Sequence, residues 1–288
     1  MSTALVPLDG SQVSAGILEC AGPLLDEPGL ALELLGVVPG SGALAQVEDE
    51  VDRCAAGLEA VAARLRERGR TVRTLVLQGD PAGRILERAR QPGVELVVMA
   101  THGRSGIDRW VRGSVAERVL RSAPVPLFLA NPRALVAGRL PVRRILVPLD
   151  GSPEADQVLP LAVRSARAFG ATVVLLRVEP FVPRETAPLG QGWDPGRALA
   201  RLEPQERRLR AEGVLVERVA AYGVEAAEIV RASEDADLVI LSTHGRSGPS
   251  RWWFGSVAEQ VLRHCTRPLL VERARPAQSA AKVQESAA

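Results

Sequence analysis

The chain has 288 residues, 46% of them hydrophobic, which suffices for one large domain or two of ordinary size. Its formal net charge of +2 at pH 7 is close to neutral and argues against a dedicated nucleic-acid binder, which would carry a clustered basic patch. Lys282, in the tail, is the only lysine, which excludes a Schiff base, pyridoxal phosphate attachment and a GxxxxGKS/T phosphate loop from the folded region.

In chain order, the first predicted strand is TALVPLDGS (Thr3 to Ser11), ending in an Asp-Gly turn, and LELLGVVP (Leu32 to Pro39) is the second. Apolar residues at Val47, Val51, Cys54, Leu58, Val61 and Leu65 recur at spacings of three and four, which predicts an amphipathic helix ended by Gly69. VLQGDPAGRIL (Val76 to Leu86) then leads to VELVVMA (Val94 to Ala100). Next comes the segment THGRSGIDRWVRGSVAERVL from Thr101, in which Ser114 and Glu117 fit a capping box, and VPLFLA (Val125 to Ala130) closes the series. The same elements then return. RILVPLDGS (Arg144 to Ser152), VVLLRVEP (Val173 to Pro180), AAYGVEAAEIV (Ala220 to Val230), ADLVILS (Ala236 to Ser242) and RPLLVE (Arg267 to Glu272) repeat the order. THGRSGPSRWWFGSVAEQVL from Thr243 matches the segment from Thr101 at 15 of 20 positions, a likeness that points to a duplicated domain.

Unbroken apolar strands alternating with helices predict two doubly wound α/β domains, each with a five-stranded, mainly parallel sheet flanked by helices. The expected boundaries are residues 1–133 and 142–274, with a linker at 134–141 and a disordered tail at 275–288. Cys20, Cys54 and Cys265 show no metal or disulfide spacing. Asp9 interrupts any secretory signal, and no apolar run is long enough to span a bilayer, so a cytoplasmic protein without a membrane partner is expected.

Ligands of doubly wound sheets bind where strands end and the winding reverses. Asp9 and Asp150 follow the first strand of each copy, as turn residues or as acceptors for a ligand amine or hydroxyl. Gly113-Ser114 and Gly255-Ser256 open a helix whose free N–H groups suit phosphate, and Gly103 with Arg104 and Gly245 with Arg246 supply further amides and a guanidinium. His102 and His244 lie in these loops without the G-x-S-x-G elbow of a hydrolase, and His264 reads as a surface residue.

These motifs resemble the universal stress protein family in its tandem form. Members of that family that bind ATP carry G-x-x-G, nine residues, then G-S/T. Here nine residues separate Gly103 from Gly113-Ser114 and Gly245 from Gly255-Ser256, while the first glycine of the pattern is Ala100 in one copy and Ser242 in the other. The resemblance implies that Asp9 and Asp150 meet adenine, with Pro7, Leu8, Pro148 and Leu149 beside it and Val37 and Val178 packed on the base. Met99 and Leu241 lead into loops where Thr101 and Thr243 lie near the ribose and phosphates. Gly103, Gly113, Ser114 and Val115, with Gly245, Gly255, Ser256 and Val257, would hold the phosphates. It also implies that the copies pair about a pseudo-twofold axis through their last strands, for which Pro126 and Pro268 suit an edge position.

Arg109 and Arg112 near the first loop, against Arg251 and Phe254 in the second, predict tighter nucleotide binding in the first copy. The expected function is an ATP-binding stress-response regulator, with Mg²⁺ as a companion of the triphosphate, in which the nucleotide controls conformation or partner binding; the expected partners are a homo-oligomer or another protein. A scaffold that no longer binds nucleotide and a slow ATPase are the alternatives.

Overall fold

The computed structural model describes residues 2–40, 44–101, 114–130, 134–135, 142–181, 193–243 and 256–274. The first half supplies β1 (Ser2–Pro7), β2 (Leu30–Val38), β3 (Val72–Gln78), β4 (Val94–Ala100) and β5 (Leu127–Ala130). The second supplies β6 (Arg144–Pro148), β7 (Thr172–Pro180), β8 (Val216–Gly223), β9 (Leu238–Ser242) and β10 (Leu269–Glu272). All ten join one sheet in the order β3-β2-β1-β4-β5-β10-β9-β6-β7-β8. Within each half the pairings are parallel, as the unbroken apolar strands predict.

Alternate residues of each strand face opposite sides, so the sheet carries two cores. Ala4, Val6, Leu32, Leu34, Val147 and Leu175 point to one, beneath the helices Gln12–Cys20, Leu44–Glu67, Leu159–Phe169 and Glu203–Ala211. Leu5, Leu35, Val97, Leu146 and Leu176 point to the other, beneath Pro81–Ala89, Ser114–Ser122, Glu225–Ser233 and Ser256–His264. Gly69, at φ 80°, closes the long helix Leu44–Glu67 with its N–H on Arg66 O at 2.8 Å, where a residue with a Cβ would be strained.

The halves meet in one antiparallel pairing, Leu269 opposite Leu129, Leu270 opposite Phe128 and Val271 opposite Leu127. In the repeat, Leu270 is the counterpart of Phe128, and Leu269 and Val271 are the counterparts of Leu127 and Leu129. Each outer residue therefore faces the counterpart of the other, which puts a local twofold through the Phe128–Leu270 pair. Pro126 and Pro268 do not mark free edges of the molecule, because β5 and β10 are central strands. Each proline stands just before its strand, where a missing N–H costs no ladder bond, and Pro126 O accepts from Val97 N at 3.0 Å. Away from the seam, the turn Gly22–Leu25 packs against Leu159–Phe169, and Arg164 reaches Glu27 of the other half at 2.5 Å.

The halves differ where their sequences differ. A single helix, Leu44–Glu67, covers β2 and β3, whereas Pro195–Ala200 and Glu203–Ala211 share that place beside β7 and β8. Pro204 divides them, since it cannot donate to a carbonyl one turn back. Gly36 lies so close to Cys54 that a Cβ there would collide with its sulfur. The counterpart of Gly36 is Arg177, only 2% exposed, whose Nε donates to Glu179 Oε1 at 3.1 Å.

Candidate functional site

Each half winds outward in both directions from one strand pair, β1 with β4 and β6 with β9. The crevice above the carboxyl ends of such a pair is the ligand-binding position of doubly wound sheets. Leu5 is level with Val97 in the last pairing of β1 with β4, and Asp9 and Thr101 each follow four residues later, just past their strand ends. Leu146 is level with Val239 in the last pairing of β6 with β9, and Asp150 and Thr243 again follow four residues later, past the strand ends. The two strand ends that flank each crevice are thus followed by one aspartate and one threonine.

Local chemistry shapes both banks. Pro7 and Pro148 cannot donate, and the ladder resumes one residue later, with Leu8 N and Leu149 N each donating at 2.9 Å to Leu35 O and Leu176 O. Asp9 Oδ1 then accepts from Ser11 N at 3.0 Å. Asp150 Oδ1 accepts from Ser152 N at 2.9 Å and from the Ser152 hydroxyl at 2.6 Å. Ser152 Oγ in turn accepts from Ala155 N at 3.1 Å, capping the short helix Pro153–Asp156. The Asp-Gly turn read from the sequence is present, and with the Ser152 cap it fixes the carboxylate that the site reading needs. On the far bank, Thr101 N donates to Ala130 O and Thr243 N to Glu272 O, both at 3.0 Å, holding each threonine to the end of β4 or β9.

The remaining candidates divide by where they stand around the strand ends. Leu8, Leu149, Met99 and Leu241 are buried, and their side chains belong to the cores, so they shape the floor of the crevice. Val37 is half-buried at the end of β2 and Val178 is 8% exposed at the end of β7, each one strand away from the aspartate. Ala100 and Ser242 are half-buried at the strand ends beside the threonines. Val115, Ser256 and Val257 lie in the first turn of Ser114–Ser122 or Ser256–His264, helices that begin where the sequence places them. Glu117 and Glu259, assigned to capping boxes, also pair forward with Arg121 and Arg263 at 2.5 and 2.6 Å. Gly103, Arg104, Gly113, Gly245, Arg246 and Gly255 lie outside the described residues, as do His102, His244 and the arginines at 109, 112 and 251.

Two features of the site escaped the sequence. One is that the Ser152 hydroxyl both caps the helix Pro153–Asp156 and donates to Asp150. Ser242 Oγ is buried without a hydrogen-bond partner, which alternation along β9 does not foretell. No described group of three or more His, Cys, Asp or Glu is arranged for a metal, so the described donors do not form a dedicated Mg²⁺ site. Cys20 and Cys265 offer no nucleophile here. Burial pushes the Cys20 thiol up to about 12 and also raises that of Cys265. Among the described residues, no helix is long and apolar enough to cross a membrane.

The fold is that of a tandem, doubly wound α/β protein with a strand-end crevice in each half. The universal stress protein family model matches residues 1–131 and again 141–273, so the chain belongs to that family, in tandem form. A universal stress protein of Mycolicibacterium smegmatis is 28% identical over 213 residues, covering 72% of this chain and 70% of that protein. One from Mycobacterium tuberculosis is 29% identical over 212 residues, with the same coverage. The crystal structure of a universal stress protein from Archaeoglobus fulgidus superposes with a TM-score of 0.73 at 23% identity, over 94% of this chain and 98% of that one.

Proposed function

We propose that the chain is a cytoplasmic, adenine-nucleotide-binding regulator, with one nucleotide site at the carboxyl end of each half-sheet and ATP as the principal ligand. The observation that supports this reading is that Asp9 and Thr101, and likewise Asp150 and Thr243, lie just past the carboxyl ends of the two neighbouring strands from which the winding reverses. A carboxylate held by the turn accepts from the base, and the loop on the opposite bank leads to a helix N-terminus, which favours phosphate. The spacing of Gly103 to Gly113-Ser114 and of Gly245 to Gly255-Ser256 supports the same ligand. Nucleotide occupancy stabilises the bound conformation by mass action and so biases which partner surface the protein presents.

Titration calorimetry of the full chain with ATP tests the proposal. Heats of binding are expected for wild type. Asp9→Ala and Asp150→Ala are each expected to weaken one class of site about tenfold, the worth of a charge-assisted hydrogen bond. The double variant should lose most of the signal at the same concentrations. A wild-type protein that neither binds ATP nor melts later in its presence would refute the reading.

A further inference from the structure

Among the described residues, the exposed large hydrophobics are Phe181, Trp193, Leu215, Val219, Tyr222 and Val224. All of them gather at β8. Leu215 precedes the strand, Val219 and Tyr222 belong to it, and Val224 follows it. The rings of Phe181 and Trp193 lie 5.8 and 5.3 Å from that of Tyr222. In the first half the counterparts of Phe181, Tyr222 and Val224 are Gly40, Gln78 and Asp80. The apolar corner is therefore a property of the second half. β8 is also the outermost strand there, next to β7 and at the end of the sheet. Val173 N donates to Leu215 O at 2.8 Å and Phe181 N to Gly223 O at 3.3 Å, so the odd-numbered residues of β8 bond to β7. The backbone groups of Val216, Arg218, Ala220 and Tyr222 point outward from the edge, where Val216 O accepts from Arg210 Nη2 at 3.2 Å.

An open edge is a template for another strand, and proteins commonly blunt it with proline or unmatched charge. VERVAAYG contains no proline, and its two charges are matched within the chain, Glu217 by Arg144 at 2.8 Å and Arg218 by Glu206 at 2.7 Å. We propose that the outer edge of β8 is an interface between two copies of this chain, paired antiparallel about a twofold through Val219. This operation maps the four outward residues onto one another, Val216 onto Tyr222 and Arg218 onto Ala220. Val219 then faces its own copy, Leu215 faces Gly223 beside the aromatic corner, and no charge faces a like charge. Apolar exposure at both ends of the strand fits this occupant, because an antiparallel copy brings the start of one strand to the end of the other. One strand pair and its flanks make a small interface, so the association is weak, with a Kd on the order of 100 µM. It is separate from the seam of β5 and β10, which lies in the middle of the sheet.

The test is sedimentation equilibrium of the full chain without nucleotide, up to about 500 µM, several times the expected constant. Wild type should pass from monomer to dimer. Val219→Lys sets two ammonium groups opposite each other, and Ala220→Pro blocks the edge while removing an N–H that does not bond to β7. Each should raise the Kd at least about tenfold. Val219 is an exposed residue, so its lysine variant should keep the wild-type melting temperature and decides the matter even if the proline variant does not fold. Position is read separately with Val219→Cys. Facing residues of an antiparallel pair that do not bond to each other have Cα atoms about 4.5 Å apart, within reach of a disulfide. Diamide should therefore convert Val219→Cys, and not wild type, to a covalent dimer on a non-reducing gel. A wild type that stays monomeric throughout overturns the proposal and leaves the patch to a different partner. A dimer that survives Val219→Lys unchanged, or that Val219→Cys does not cross-link, overturns it as well.

Discussion

Glu33 is the only charged residue of β2, and its side chain is 2% exposed. Arg73 meets it at 2.6 Å, and Arg88 holds it with two nitrogens, Nη2 at 2.8 Å from Oε2. Such a cluster stands only while every charge is matched, since losing one partner strands a buried charge. The second half solves the same position without charge, with Val174 for Glu33 and Ala232 for Arg88. Glu33→Gln should therefore cost about 3 kcal/mol in urea unfolding, while Glu33→Val combined with Arg88→Ala should recover most of that loss. Arg73, 54% exposed, can turn to solvent in the double variant. A double variant no more stable than Glu33→Gln would contradict the argument. Single residues of this kind were poorly legible in the sequence. An acid inside the run LELL announces that a partner must exist, but Arg73 and Arg88 come near only once β3 and the helix after it are in place. The same holds for the aspartates, whose turn was readable while which strand end lies beside theirs depends on strand pairing.

At the scale of elements, the helices after β3 and β8 are counterparts that begin differently. Asp80 caps Pro81–Ala89, its carboxylate accepting from Gly83 N at 2.8 Å and from Arg118 at 2.7 Å, which holds its carboxyl below the usual range. Val224 occupies the cap of Glu225–Ser233 with nearly the same backbone, φ −76° and ψ 116° against −72° and 119°, but offers no acceptor and is 66% exposed. Serine suits this cap better than aspartate. Gly83 leaves room beside Asp80, and a Cβ there would stand 2.8 Å from the carboxylate, yet the counterpart of Gly83 is Ala227. Ser152 caps over Ala155 in this same protein. Val224→Ser should thus stabilise the chain by about 1 kcal/mol in urea unfolding, and an unchanged or lower midpoint would count against it. Strand and helix identity were the most legible level. Periodicity gave the helix over Val47 to Arg68 as Leu44–Glu67, and the apolar runs gave five strands per half. Periodicity did not reveal the split into Pro195–Ala200 and Glu203–Ala211, because a proline near a helix start reads equally well as a beginning.

For the whole molecule, the sheet is continuous because β10 occupies the outer side of β5 in antiparallel register. Repetition in the sequence forecast two like domains, but only pairing geometry shows that they share one sheet. A chain reduced to residues 142–274 would leave β10 with an open apolar edge of Leu269, Leu270 and Val271, all buried in the full protein. Such an edge seeks another strand, and the register centred on Leu270 is self-complementary. The isolated half should therefore form a homodimer at micromolar concentration by light scattering, and a stable monomer there would count against the seam as the source of association. Phe128 opposite Leu270 has one more consequence. In an assembly of identical subunits a single codon writes both sides of the axis, so neither pocket can change alone. Here each side has its own codon, and every translated copy delivers one of each in fixed proportion. Selection can then tune Ala100 and Ser242 separately, like two instruments cast in one frame.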